Sequence, residues 1–96
     1  MTAYLLVDLD IHDQEGFQAY RSRVPEFIAK HGGEYLVRGG EFEVIEGDWK
    51  PNRLVLFKFP NRQAIQNFFA DPDYAKLAAI RFKTSKTIAV AVDGVA

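Results

Sequence analysis

The spacing of apolar residues changes period along this chain in a fixed order, and that order leaves few folds open. Residues 3–11, AYLLVDLDI, alternate. Ala3, Leu5, Val7, Leu9 and Ile11 share one side, and Tyr4, Leu6, Asp8 and Asp10 the other, which is the period of a strand. Phe17, Tyr20, Val24, Phe27 and Ile28 then recur at helical spacing, behind Asp13 as a cap and Glu15 in the first turn. Gly32-Gly33 ends that helix. Glu34 to Glu46 returns to a strand pattern, interrupted at Gly39-Gly40. GDWKPN turns the chain, and RLVLFKF, Arg53 to Phe59, is a third strand. It is apolar on both sides apart from Lys58, which places it centrally. Asn61 caps a further helix with Ala64, Ile65, Phe68 and Phe69 inward. Asp71-Pro72 restarts it, the aspartate as cap and the proline at the first position. KTIAVAV, Lys86 to Val92, is the last strand.

Strand, helix, strand, strand, helix, strand is the split βαβ plan: an α+β, ferredoxin-like βαββαβ fold, with a four-stranded antiparallel sheet and its helices on one face. At 96 residues the chain is read as one domain, 1–96. Two local features strain this plan. Pro25 sits inside the first helical pattern, where it removes a hydrogen bond at a cost of about 3 kcal/mol, and predicts a kink or a break. Gly39-Gly40 predicts a bulge that would bring Tyr35, Val37, Phe42 and Val44 onto one side.

Helices on one face leave the other side of the sheet open, yet strands one, three and four carry apolar residues on both sides. A patch of that size marks an interface, and the simplest partner is a second copy, sheet against sheet, about a two-fold axis. Composition narrows the rest. Twelve basic and thirteen acidic residues give a net charge of -1, without the basic excess of a nucleic-acid binder. No cysteine is present, which excludes disulfides, a thiolate nucleophile and cysteine-based zinc sites. His12 and His31 with scattered carboxylates make a poor metal site. The N-terminus lacks the pattern of a signal peptide, and no window approaches the ~20 apolar residues of a membrane span. The expectation is a cytoplasmic protein with no membrane or nucleic-acid partner. Dinucleotide, P-loop, zincin and nucleophile-elbow motifs are all missing, so no cofactor is implied.

The runs HGGEYLVRGGEFEVIEGDWKPNRLVLFKFP and DPDYAKLAAIR and the terminal VDG resemble the domain-of-unknown-function 1330 family, in the dimeric α/β-barrel superfamily. The resemblance covers nearly the whole chain. It implies the fold, a dimeric α/β barrel, and a cleft between sheet and helices in each subunit. It implies no activity. Related barrel families include cofactor-independent monooxygenases, haem-degrading enzymes, lactone isomerases and dehalogenating enzymes, and fold-level analogy of that kind says little about chemistry.

Candidate site residues follow from local context. Arg38 is a long cation inside a strand, followed by two glycines that let a ligand approach the backbone. Its fork suits a carboxylate or phosphate. It could also snorkel to solvent or pair with Glu46 or Asp48. Arg53 opens the third strand beside the turn. Arg81 lies on the line of Tyr74, Leu77 and Ala78, an otherwise apolar helical stripe, and a buried arginine must find a carboxylate, backbone carbonyls or a ligand. Its plainer reading is a salt bridge to Glu46, Asp48 or an aspartate of the first strand. Trp49 and Tyr74 are candidate pocket walls. His31 is a candidate general base, or a residue favoured by the helix dipole. Together these give two readings: a homodimer binding a small anionic organic molecule, with possible cofactor-independent proton transfer, or a non-catalytic structural or regulatory dimer with no ligand site.

Overall fold

Alternation, capping and turn chemistry produce seven elements in the computed structural model, which describes residues 1–95. They are β1 (Ala3–Ile11), α1 (Gln14–Lys30), β2 (Glu34–Arg38), β3 (Leu54–Phe59), α2 (Arg62–Ala70), α3 (Pro72–Thr84) and β4 (Ser85–Asp93). All strand pairs are antiparallel and the sheet order is β2-β3-β1-β4, as expected for the ferredoxin-like plan. The helix starts are set by side-chain caps. Asp13 accepts from Gly16 N at 2.9 Å, Asn61 from Ala64 N at 2.8 Å, and Asp71 from Asp73 N at 2.9 Å.

Cross-strand register decides which residues face the helices. Leu5 stands opposite Phe57 and Val7 opposite Val55, and all four are buried beneath the inward stripe of α1, Phe17, Tyr20, Val24, Phe27 and Ile28. The next residues along each strand face away from the helices. Leu6 lies between Leu56 and Val90, and Ile88, Val90 and Val92 are 63%, 54% and 54% exposed. The chain is a slab of 37 × 34 × 16 Å with one broad apolar face uncovered.

Two local expectations change. The helix runs from Gln14 to Lys30 without a break at Pro25. Proline's missing N–H leaves the Arg21 carbonyl without its usual partner, and Arg38 Nη2 donates to that oxygen at 3.4 Å. The second strand ends at Arg38 rather than Glu46, because Gly39 turns into the left-handed region at φ 72°. The register shift falls at Leu36, between Tyr35 and Val37, not at the glycines. Tyr35 pairs with Phe57, Val37 with Leu56 and Arg38 with Val55. The extra residue therefore sends Val37 to the uncovered face and returns Arg38 to the helix side with Tyr35. Phe42 and Val44 lie in the irregular, largely exposed segment beyond.

Asp8 anchors that segment. It is buried and accepts from Asn52 N at 2.8 Å, Arg53 N at 3.2 Å and Trp49 Nε1 at 3.3 Å. These bonds fix the turn that delivers Arg53 to the start of β3. No helix among the described residues is long and apolar enough to cross a membrane.

Candidate functional site: an arginine-lined cavity

Between the sheet and the helices lies a cavity of about 160 Å³. Its floor is Leu5, Val7, Leu9, Val55 and Phe57 and its walls are largely aromatic. Four arginines from four parts of the chain reach it: Arg21 from α1, Arg38 from the end of β2, Arg53 from the residue before β3, and Arg81 from α3. Each position has a local cause. Arg21 is four residues after Phe17 and so shares the inward stripe of α1. Arg38 is turned inward by the Leu36 bulge. Gly39 is where it is because a Cβ there would run into the Arg53 guanidinium. Arg81 continues the stripe of Tyr74, Leu77 and Ala78 and is only 7% exposed.

The cavity holds positive charge with no counter-charge. Among the described residues the ion pairs are Arg23–Glu26, Lys30–Asp71, His31–Asp71, Lys58–Glu34 and Arg62–Asp93. None includes a cavity arginine. Aromatic faces hold the guanidinium groups instead. Arg38 lies 4.6 Å from the Tyr35 ring centre, Arg21 5.3 Å from Phe17, and Arg81 4.6 Å from Phe82 and 6.0 Å from Tyr20. Stacking uses the flat faces and leaves N–H edges free. Arg21 Nε is buried with no hydrogen-bond partner. Burial lowers the pKa of Arg53, and the charges of Arg21 and Arg38 lower it further. Tyr20 and Tyr74 share a buried hydroxyl–hydroxyl bond of 2.7 Å. Burial, reinforced by Tyr74, pushes the Tyr20 phenol well above its ordinary value, and burial also raises Tyr35. Both stay protonated at neutral pH. Among the described residues no group of three His, Asp or Glu side chains is arranged to hold a metal ion.

Residues 2–95 match the domain-of-unknown-function family DUF1330. The chain belongs to the DUF1330 family. No curated protein matches it. Among solved structures it is similar to a protein of unknown function from Rhodopseudomonas palustris, with TM-score 0.78 and 14% identity over 99% of this chain and 83% of that one. It is also similar to SnoaB, a cofactor-independent oxygenase from Streptomyces nogalater, with TM-score 0.68 and 14% identity over 99% of this chain and 94% of that one. A third is a dimeric protein of unknown function and ferredoxin-like fold from Bacteroides fragilis, with TM-score 0.55 and 12% identity over 97% and 96%. At these identities the likeness concerns the fold.

Of the residues singled out in this DUF1330 sequence, Arg38, Arg53, Tyr74 and Arg81 line the cavity. His31 and Trp49 do not line it. His31 caps the end of α1, and its Nε2 donates to Asp71 Oδ2 at 2.8 Å, the oxygen that Lys30 Nζ also reaches at 2.7 Å. It thereby ties the end of α1 to the start of α3. Trp49 is half exposed and bonded to Asp8, whose register opposite Leu54 and Ile88 puts it on the other sheet face. Sequence reasoning missed Arg21, Tyr20 and Tyr35. Arg21 had a readable signal, its place four residues after Phe17. Tyr20 reads as core until its hydroxyl partner is known.

Proposed function

We propose that this DUF1330 chain is a homodimer that binds a small anionic organic molecule in the cavity of each subunit. The observation that carries this reading is the convergence of Arg21, Arg38, Arg53 and Arg81 on one apolar space with no carboxylate paired to any of them among the described residues. A buried cation without a partner costs several kcal/mol, and an anionic ligand removes that penalty through charge-assisted, forked hydrogen bonds. The apolar floor and aromatic walls suit a hydrocarbon body. A cavity of ~150 Å³ takes a benzene-sized molecule, so the ligand has about one ring. A purely structural dimer has no reason to keep such a space open. His31, committed to Asp71, is left out of the chemistry. The Tyr20–Tyr74 phenol pair donates hydrogen bonds to the ligand's polar end. SnoaB, of the same fold, is described as a cofactor-independent oxygenase, which accords with small organic molecules being handled in such a cleft without a cofactor.

The second copy covers the sheet face of Leu6, Leu56, Ile88, Val90 and Val92. Several large apolar side chains, each worth ~1.5–3 kcal/mol when buried, otherwise stay in water. The Bacteroides fragilis protein of this fold is described as dimeric. The dimer is placed in the cytoplasm, in keeping with a sequence that contains no cysteine.

Thermal shift against a panel of aromatic and short aliphatic acids tests the binding. A ligand at about a hundred times its dissociation constant adds roughly 2.7 kcal/mol of stability. Arg38→Ala and Arg81→Met are each expected to weaken that ligand about tenfold or more, the worth of one hydrogen bond to a charged group. A panel without a single hit, or a hit indifferent to both substitutions, overturns the reading.

A further inference from the structure

Three of the four cavity arginines form a group of their own, and this deepens the ligand-binding reading above, on which it rests. We infer that Arg21, Arg38 and Arg53 together form a subsite for a doubly charged group, a phosphate monoester or a pair of carboxylates, rather than for a lone carboxylate.

Backbone features bring these three together. The Leu36 bulge turns Arg38 inward opposite Val55. Arg53 lies two residues before Val55, on the same side of β3, with its carbonyl bonded to Leu9 N at 2.9 Å. Gly39, bonded through its N–H to Leu54 O at 2.9 Å, leaves the space that the Arg53 guanidinium fills. Pro25 frees the Arg21 carbonyl, and Arg38 Nη2 reaches it at 3.4 Å. Arg38 is thereby tethered to the backbone of the residue whose own side chain completes the trio.

Like charges gathered in this way repel, and the repulsion has a measurable sign, since Arg21 and Arg38 both lower the pKa of Arg53. The remaining contacts of the group are neutral. Arg21 Nη2 donates to Gln14 Oε1 at 3.4 Å, and Arg21 Nε has no partner. The nearest conserved-looking acid by register, Asp8, faces the opposite side of the sheet and accepts from Asn52, Arg53 N–H and Trp49. A single carboxylate neutralises one of three guanidinium charges and satisfies one fork. A dianion neutralises two and offers enough acceptor oxygens for several forks at once. Arg81 stands apart, between the Phe82 and Tyr20 rings, and serves mono- and dianionic ligands alike.

Calorimetric titration with matched ligands separates the possibilities. Phenyl phosphate and its methyl ester share one body and differ by one negative charge at pH 7.5; phthalate and benzoate form the corresponding carboxylate pair. The dianion of at least one pair is expected to bind about tenfold or more tighter than its monoanion. Arg21→Met and Arg53→Met should remove most of that preference and change monoanion affinity by only about threefold, while Arg81→Met should weaken both members equally. A preference for phosphate alone identifies a phosphate ester, and a preference in both pairs identifies dianions as a class. Equal affinity within each pair for the unaltered protein overturns this inference and leaves the anion-binding reading standing. A preference that survives both Arg21→Met and Arg53→Met also overturns it. Binding by none of the four ligands, nor by any acid of the wider panel, overturns both.

Discussion

Asp71 shows how much one side chain can organise. Its Oδ1 caps α3 through Asp73 N and Tyr74 N, and its Oδ2 receives Lys30 and His31. Hydrogen bonds from Lys30 and then His31 hold its carboxyl well below the usual carboxylate range. A carboxyl whose pKa is lower in the folded state binds protons more readily when unfolded. Its contribution is therefore complete above the unfolded value, about 3.9, and is lost as pH falls below it. Urea denaturation between pH 6 and pH 2 is expected to show stability falling below about pH 4, with a shallower fall in Asp71→Asn. Parallel curves for the two proteins would remove this role. The His31–Asp71 bond also explains why His31 misled. A histidine before two glycines looks available for chemistry, and its partner lies forty residues further along the chain. Arg38 and Arg81, by contrast, were legible, because each breaks an apolar pattern at a position whose neighbours must be covered. At Gly39 the backbone adopts φ 72°, and a side chain there meets the Arg53 guanidinium. Gly39→Ala is expected to cost about 1–2 kcal/mol and to weaken anion binding by moving Arg53. Undiminished binding by Gly39→Ala would show that Arg53 does not need that space.

At the scale of elements, α1 carries its proline where a proline is useful. An interior proline lowers helix stability by about 3 kcal/mol relative to alanine, and the Arg38 contact to the freed Arg21 carbonyl offsets part of this. Pro25→Ala restores an N–H to that carbonyl and competes with Arg38 for it. The expected result is a gain of about 1–2 kcal/mol, read as a higher urea midpoint at unchanged slope, together with weaker anion binding. A destabilised Pro25→Ala, or one that binds more tightly, would refute the tether. Element order, helix caps and the central place of β3 could all be read from period and capping alone. The end of β2 could not. Apolar alternation continues through Phe42 and Val44, but Gly39 turns the backbone out of the ladder and the later residues find no strand to pair with.

At the scale of the whole molecule, the uncovered sheet face was legible because β1, β3 and β4 each carry apolar residues at both parities. The cavity was less so: its mouth depends on which way a bulge rotates one strand. With a chain mass of 10.9 kDa, light scattering at micromolar concentration is expected to give twice that value for the unaltered protein. Val90→Lys, in the middle of the face and opposite Leu6, should give a single-chain mass, since burying an unpaired ammonium costs several kcal/mol in each half. Single-chain mass for the unaltered protein would remove the dimer.

The bulge at Leu36 has a consequence for how such proteins diverge. Because one surplus residue sets the phase of everything after it, loss of a single codon there would swing Arg38 out of the cleft and onto the surface assigned to the twin subunit, with no change in amino-acid composition beyond one leucine. Relatives sharing this architecture can thus gain or abandon an anion site by a change in length, and comparing strand length at this point would sort them before any comparison of side chains.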